Sequence, residues 1–214
     1  FTISGGIFVE GDLKATPLTN TLILAIGGIL ASIIGTTGAS VLLIRPLIRT
    51  NKERRRTTHI FVFFILIVSN VGGTLLPVGD PPLFMGYLYG VPFFWTLIHL
   101  WPIWLTAVSI LLLVFFIWDN FAYKSEAKTD IAKDDQNQTR LRVTGSFNFV
   151  LIFGVLMAVV FLKDYKTEHG VLAMGWLQQP VMVGLALLSF VIDYTSRTRK
   201  RKEHEETMLA RIAA

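Results

Sequence analysis

Between Arg56 and Asp119 lie 62 residues with a single formal charge, the carboxylate of Asp80. It stands in SNVGGTLLPVGDPP, Ser69 to Pro82, where three glycines and three prolines crowd fourteen residues. If those neighbours lie in a bilayer, a carboxylate there costs at least about 2.5–3.5 kcal/mol and marks a functional pathway by default. It could bind sodium or take up a proton. It could also cap a half-helix by accepting N–H bonds around residues 82–84, or sit at an aqueous rim. Neutral oxygens gather on the same segment and one upstream: Ser69, Asn70 and Thr74, and Thr36, Thr37 and Ser40 in GTTGAS (35–40). Such oxygens, with carbonyls freed where a helix unwinds at Gly72, Gly73 and Gly79, suit a hard cation. The plainer reading is helix association, in which small residues allow close approach and each hydroxyl adds about 0.6 kcal/mol.

The elements that would hold these residues follow from composition. Hydrophobic residues make up 52% of the 214-residue chain and charged residues 16%, against a soluble norm of about 25% charged. Mean hydropathy is +0.56. There are no cysteines, which excludes disulfides, thiolate zinc sites and cysteine nucleophiles. Residues 15–44, 143–162 and 171–192 carry no charge, and about 20 apolar residues suffice to cross a bilayer. An all-α, polytopic membrane protein is expected. Phe1 in place of methionine and an apolar opening phrase suggest an internal piece of a longer chain.

Basic residues set the expected orientation. Six lie in 45–56, five in 119–145 and six in 194–214, against two in 163–169. The three rich segments should face the cytoplasm. Spans are then expected at 99–118, 146–162 and 171–192, the last kinked at Gln178–Gln179–Pro180. The stretch 57–98 must cross outward once, with twice the residues one crossing needs. Gly and Pro destabilise helix interiors by about 1 and 3 kcal/mol, so this span should break at 69–82 and resume from Leu83 to Leu100. Tyr87, Tyr89, Trp95 and Trp101 would form an interfacial belt. Residues 17–48 read either as a re-entrant hairpin turning at GTTG or as a full span kinked at Gly35–Gly38. The expected divisions are a transport region (1–119, with hairpin 17–48, broken helix 57–98 and span 99–118), a cytoplasmic linker (120–145), two spans (146–193) and a basic tail (194–214) with a short surface helix.

The pair GTTGASVLLIRPLIRTN (35–51) and SNVGGTLLPVGDPPLF (69–84) resembles the ion transporter superfamily, which includes sodium:proton antiporters, citrate and other carboxylate carriers, and arsenite permeases. ISGG, GDLKATPLTN and GVPFFWTL extend the likeness to bacterial sodium:proton antiporters over residues 3–123. The resemblance implies two inverted repeats, each with a re-entrant hairpin and a broken helix whose tips meet at the site. By position, it implies a hairpin tip at Gly35, Thr36, Thr37, Gly38 and Ser40, and a loop at Ser69, Asn70, Gly72, Gly73, Thr74, Gly79 and Asp80. Many relatives carry Asn where Leu83 stands, and only one such pair is present, so half of a transport site is implied.

The expected function is a sodium:proton antiporter-like secondary transporter working by alternating access. A citrate-type or arsenite permease is the alternative within the superfamily, and a non-transporting membrane subunit the alternative outside it. No basic residue lies between Arg56 and Lys124, which leans toward a cation. An enzyme is not expected. The Gly5–Gly6, Gly27–Gly28 and Gly72–Gly73 pairs lack a strand–turn–helix context for nucleotide binding. His59, His99, His169 and His204 are scattered without metal spacing. No cofactor is expected beyond transported sodium or protons. The expected partners are membrane lipid, also contacted by RTNKERRR and RTRKRK, and a small ion; a homodimer is allowed and nucleic acid is not expected.

Overall fold

The computed structural model describes the chain except residues 1, 2, 4, 5, 128, 130, 132, 135–138, 163, 164, 168, 169, 173, 174 and 214, and the side chains of 8, 10, 140, 141, 165–167, 170–172, 175 and 196–213. The readings placed on Gly5 and His169 fall outside the described residues. The protein is mostly helical and forms two compact units, Ile3–Thr144 and the residues from Gly145 onward. Four helical segments are long and apolar enough to cross a membrane: Pro17–Ile34, Thr58–Leu75, Trp95–Lys124 and Trp176–Thr195.

In the first unit, Thr16 caps α1 (Pro17–Ile34), its hydroxyl accepting the Thr19 N–H at 3.2 Å. Pro17 at the first helical position lacks a donor the helix cannot use anyway. The helix stops at Gly35, whose φ of +82° and ψ of 151° lie where side-chain-bearing residues are strained. The chain reverses there, and α2 (Thr36–Thr50) returns along α1. Antiparallel alignment shows in partners equidistant from the turn. Asn20 and Asn51 exchange amide hydrogen bonds of 2.9 and 2.8 Å. A Cβ at Gly27 would stand 2.9 Å from Leu43 Cδ1.

Helix α3 (Thr58–Ile67) is followed by a single 3-10 turn (Val71–Leu75), a non-helical stretch through Asp80, and the eight-residue α4 (Pro81–Leu88). The expected helix from Leu83 to Leu100 is instead two. Gly90 takes φ +106° and Pro92 follows, so α4 ends before α5 (Trp95–Lys124) begins. Of the expected aromatic belt, Tyr89, Trp95 and Trp101 are exposed, whereas Tyr87 is buried with its ring edge-on to Phe93. Leu24, Ala31, Ile60, Ile67 and Phe115 form a fully buried centre between α1, α3 and α5.

Two short antiparallel sheets accompany the helices. In the first unit, β1 (Phe8–Asp12) pairs with β2 (Thr139–Thr144), Val9 opposite Val143. Thus the stretch read as a linker contains a strand; its partner lies 127 to 136 residues away, and local pattern carries no sign of it. The second unit holds α6 (Phe147–Phe161), β3 (Tyr165–Thr167), β4 (Gly170–Leu172) and α7 (Gly175–Ala213). Because Gly170–Leu172 is in β4, the last helix starts at Gly175, later than read from charge alone. It then runs through Pro180 and past Asp193 for 39 residues. Ser189 Oγ donates to the Asn148 side-chain oxygen Oδ1 at 2.8 Å, joining α7 to α6.

The ends of four helices in the first unit converge on Asp119, which is fully buried. Arg54 reaches both its oxygens, at 2.6 and 3.1 Å. His59 Nε2 lies 2.8 Å from Oδ1, and the Asn20 amide donates to Oδ2 at 3.1 Å. Nearby, Lys52 donates to Asp12 at 2.6 Å, and that hydrogen bond holds the lysine above its usual pKa. Removing one partner of a buried ion pair leaves the other uncompensated and costs about 3–5 kcal/mol. Asp119→Ala should therefore lower the melting temperature of the detergent-solubilised protein sharply. A melting temperature equal to the parent's would show that the cluster bears no load.

Candidate functional site

The tip of the α1–α2 hairpin meets the segment between the 3-10 turn and α4. Between them lies an open cleft of about 340 Å³, lined by Ile34, Gly35, Thr36, Thr37 and Gly38 on one side and Pro77, Val78, Gly79, Asp80, Pro81 and Phe84 on the other.

Glycine makes this approach possible. A Cβ on Gly72 would lie 2.7 Å from Gly28 Cα, and one on Gly79 would lie 3.0 Å from the Ala31 carbonyl oxygen. At Gly73 a Cβ would collide with the Thr36 methyl and the Gly79 carbonyl. The Gly72 carbonyl accepts two side-chain donors, Ser32 Oγ at 2.5 Å and Trp104 Nε1 at 3.1 Å. Ser40 and Ser69 hydroxyls sit 2.8 Å apart, and Ser40 also donates to the Thr36 carbonyl at 2.7 Å.

Of the ten residues singled out in the sequence, Thr36, Thr37, Gly79 and Asp80 line the cleft. Ser40 and Ser69 bond each other, and Gly72 and Gly73 are buried in the backbone contact. The Thr74 hydroxyl donates to the Val71 carbonyl at 2.9 Å. Asn70 is exposed and not among the lining residues; its carbonyl accepts the Gly73 N–H at 3.0 Å. Pro77, Val78 and Phe84 were missed. The three prolines had been read only as helix breakers, although a residue that interrupts a helix also forms the wall of whatever opens there.

Asp80 occupies the N-cap position of α4 in an extended conformation, φ −140° and ψ 124°. Its main-chain carbonyl accepts the Phe84 N–H at 3.0 Å, but its side chain makes no capping bond. The capping role considered from sequence is thus performed by the backbone alone. Pro82 removes one of the two N–H groups a cap could accept, leaving only that of Leu83. Among the described residues no ion pair joins the Asp80 carboxylate, which is half-buried and borders the cleft. No basic side chain lines the cleft.

The Asp119 cluster was not found from sequence. Asp119 was read as the end of a charge-free run, Arg54 as part of a basic cytoplasmic segment, and His59 as one of four scattered histidines. The available signal was that an acid at the end of a span, if buried, needs a cationic partner.

A protein-family model described as "Putative citrate transport" matches residues 1–212. The chain belongs to that family. No curated protein and no solved structure matches it. Membership of a citrate transport family supports a multi-pass membrane permease rather than an enzyme. It carries nothing specific to sodium:proton antiport. The site of this citrate-transport-family protein depends on Gly35 for its shape. Its backbone conformation costs other residues about 1–3 kcal/mol, and a Cβ there would touch the Val78 carbonyl at 3.4 Å. Gly35→Ala should lower the melting temperature and displace the hairpin tip, read as increased labelling of cysteines placed at Thr37 and Val78. Unchanged labelling and melting would mean the turn tolerates a side chain.

Proposed function

We propose that this chain supplies the cation-handling side of a cation-coupled citrate-type permease in a bacterial cytoplasmic membrane. The observation that carries the reading is the cleft's chemistry: one carboxylate, two threonines and open backbone, with no basic side chain. A cation is attracted to such a site, while a bare tricarboxylate is repelled by Asp80. The start of α4 would ordinarily attract anions through unsatisfied N–H groups. Here Pro81 and Pro82 remove two of the four unsatisfied donors, those of residues 80–83, that the helix start would otherwise present. That favours a sodium ion or proton at Asp80, with the carboxylate solute held beside the cation or by donors elsewhere in the assembled site.

In this reading α1 and α2 form a re-entrant hairpin, and the α3–α4 interruption lies at membrane depth, where unwound backbone is tolerated only beside protein or water. Alternating access would expose the cleft to each side in turn. Residues 1–119 act as the transport region, and the transported ions occupy the cleft at Thr36, Thr37, Gly79 and Asp80 without a resident cofactor. Sodium:proton antiport is the second reading, supported by the same absence of basic residues.

The test is citrate uptake into proteoliposomes containing the full-length protein, under imposed sodium or proton gradients. Uptake should depend on one of those gradients. Asp80→Asn should reduce it by about 10- to 100-fold, the value of a charge-assisted contact, and shift its pH profile. Gradient-driven uptake that ignores Asp80→Asn would end the coupling role. Sodium-driven proton movement without citrate would move the protein to the antiporter branch.

A further inference from the structure

Trp104 lies on α5, half-buried, and is not among the residues lining the transport cleft. Its indole N–H nevertheless reaches the interruption after α3, donating to the Gly72 carbonyl at 3.1 Å. The same oxygen accepts Ser32 Oγ from α1. A carbonyl oxygen has two lone pairs, so both of those on Gly72 are in use. Helices α1 and α5 therefore hold one atom of the interruption between them.

What that atom controls follows from the contacts beyond it. Gly73, next in the chain, packs so closely on Gly79 that a Cβ would stand 2.5 Å from the Gly79 carbonyl oxygen, and it also abuts the Thr36 methyl. Gly79 in turn lies against the Ala31 carbonyl, and Asp80 is the next residue. The path from Gly72 to Asp80 thus runs from backbone to backbone, without side-chain rotamers that could absorb a shift. Close-packed groups transmit displacement. Thr36, Gly79 and Asp80 all line the cleft, so the position of the Gly72 oxygen bears on where the oxygens of the cleft stand.

We propose that Trp104 is a positioning residue for the cation site at Asp80, its N–H setting the placement of the Gly72–Asp80 segment against the hairpin tip. This role rests on the reading of the cleft as a cation site. Substitution by Phe separates it from plain packing, because the donor is lost while an aromatic ring stays on α5. The Gly72 carbonyl keeps Ser32, so no buried acceptor is left without a partner and the chain should fold. Affinity for the cation depends on where the cleft oxygens stand, so a segment free to drift binds it less well. Lost packing would instead reduce the amount of active protein.

The half-saturating concentration of the driving cation, sodium or proton, for citrate uptake by the full-length protein in proteoliposomes tests this. W104F should raise it about three- to tenfold, which is what loss of one neutral hydrogen bond can impose. Uptake at saturating cation should stay near the parent value. W104H, whose ring supplies an N–H donor, should restore part of the affinity. W101F, which removes an exposed indole one turn earlier on the same helix, should change neither quantity. If W104F does not assemble, benzothienylalanine at position 104, with sulfur in place of the N–H in a ring of the same shape, makes the same comparison. A fall in maximal uptake with an unchanged half-saturating concentration would reduce Trp104 to packing and overturn the proposal, as would an equal rise in W101F. Uptake that answers to neither gradient would remove the cation reading and this role with it. An unshifted W104F in a transporter that Asp80→Asn still cripples would overturn the role of Trp104 alone.

Discussion

When a helix stops in apolar surroundings, every carbonyl and N–H it frees must find a new partner. The oxygen of Gly72 meets that demand twice, through Ser32 on α1 and Trp104 on α5. Those two bonds fasten the interruption after α3 to the helices on either side of it. They are possible because Gly28 and Gly72 bring two backbones within side-chain-free distance. The cleft follows from this contact: once the 3-10 turn is held against α1, the chain from Pro77 to Asp80 is delivered to the hairpin tip.

Two aspartates at opposite ends of this arrangement show how surroundings assign roles. Asp119 has no exposed surface, and a guanidinium, an imidazole and an amide consume its oxygens. It joins helix ends and is unavailable to a solute. Asp80 is half-buried beside an open cleft, with no capping bond from its side chain and prolines where donors would be. Among the described residues, no ion pair neutralises it. The saturated acid stabilises the frame that presents the unsaturated one.

Much of the fold was legible because membrane helices announce themselves by missing charge. The charge-free run after Arg56, the glycine–proline break at 69–82 and the turn at GTTG are local signals, since conformational cost at Gly and Pro needs no distant partner. Thr36, Thr37, Gly79 and Asp80, which line the cleft, lie at or beside those local breaks. The pairing of β1 with β2, the Asn20–Asn51 bridge and the convergence on Asp119 were not. Each joins residues 31 or more positions apart, and each partner taken alone looks like an ordinary loop or surface residue.

By itself, the sequence determined that the chain is a polytopic membrane protein, where its helices are interrupted, and that one acid lies within a long apolar stretch. Those properties depend on transfer energies and backbone preferences, which act residue by residue. Tertiary structure alone decided which oxygens face the cleft and which are spent on neighbouring helices. It sent Thr74 to a carbonyl, left Asn70 outside the lining and took capping away from the Asp80 side chain. Hydrogen-bond partnership depends on direction and distance across the fold, and only the assembled helices supply both.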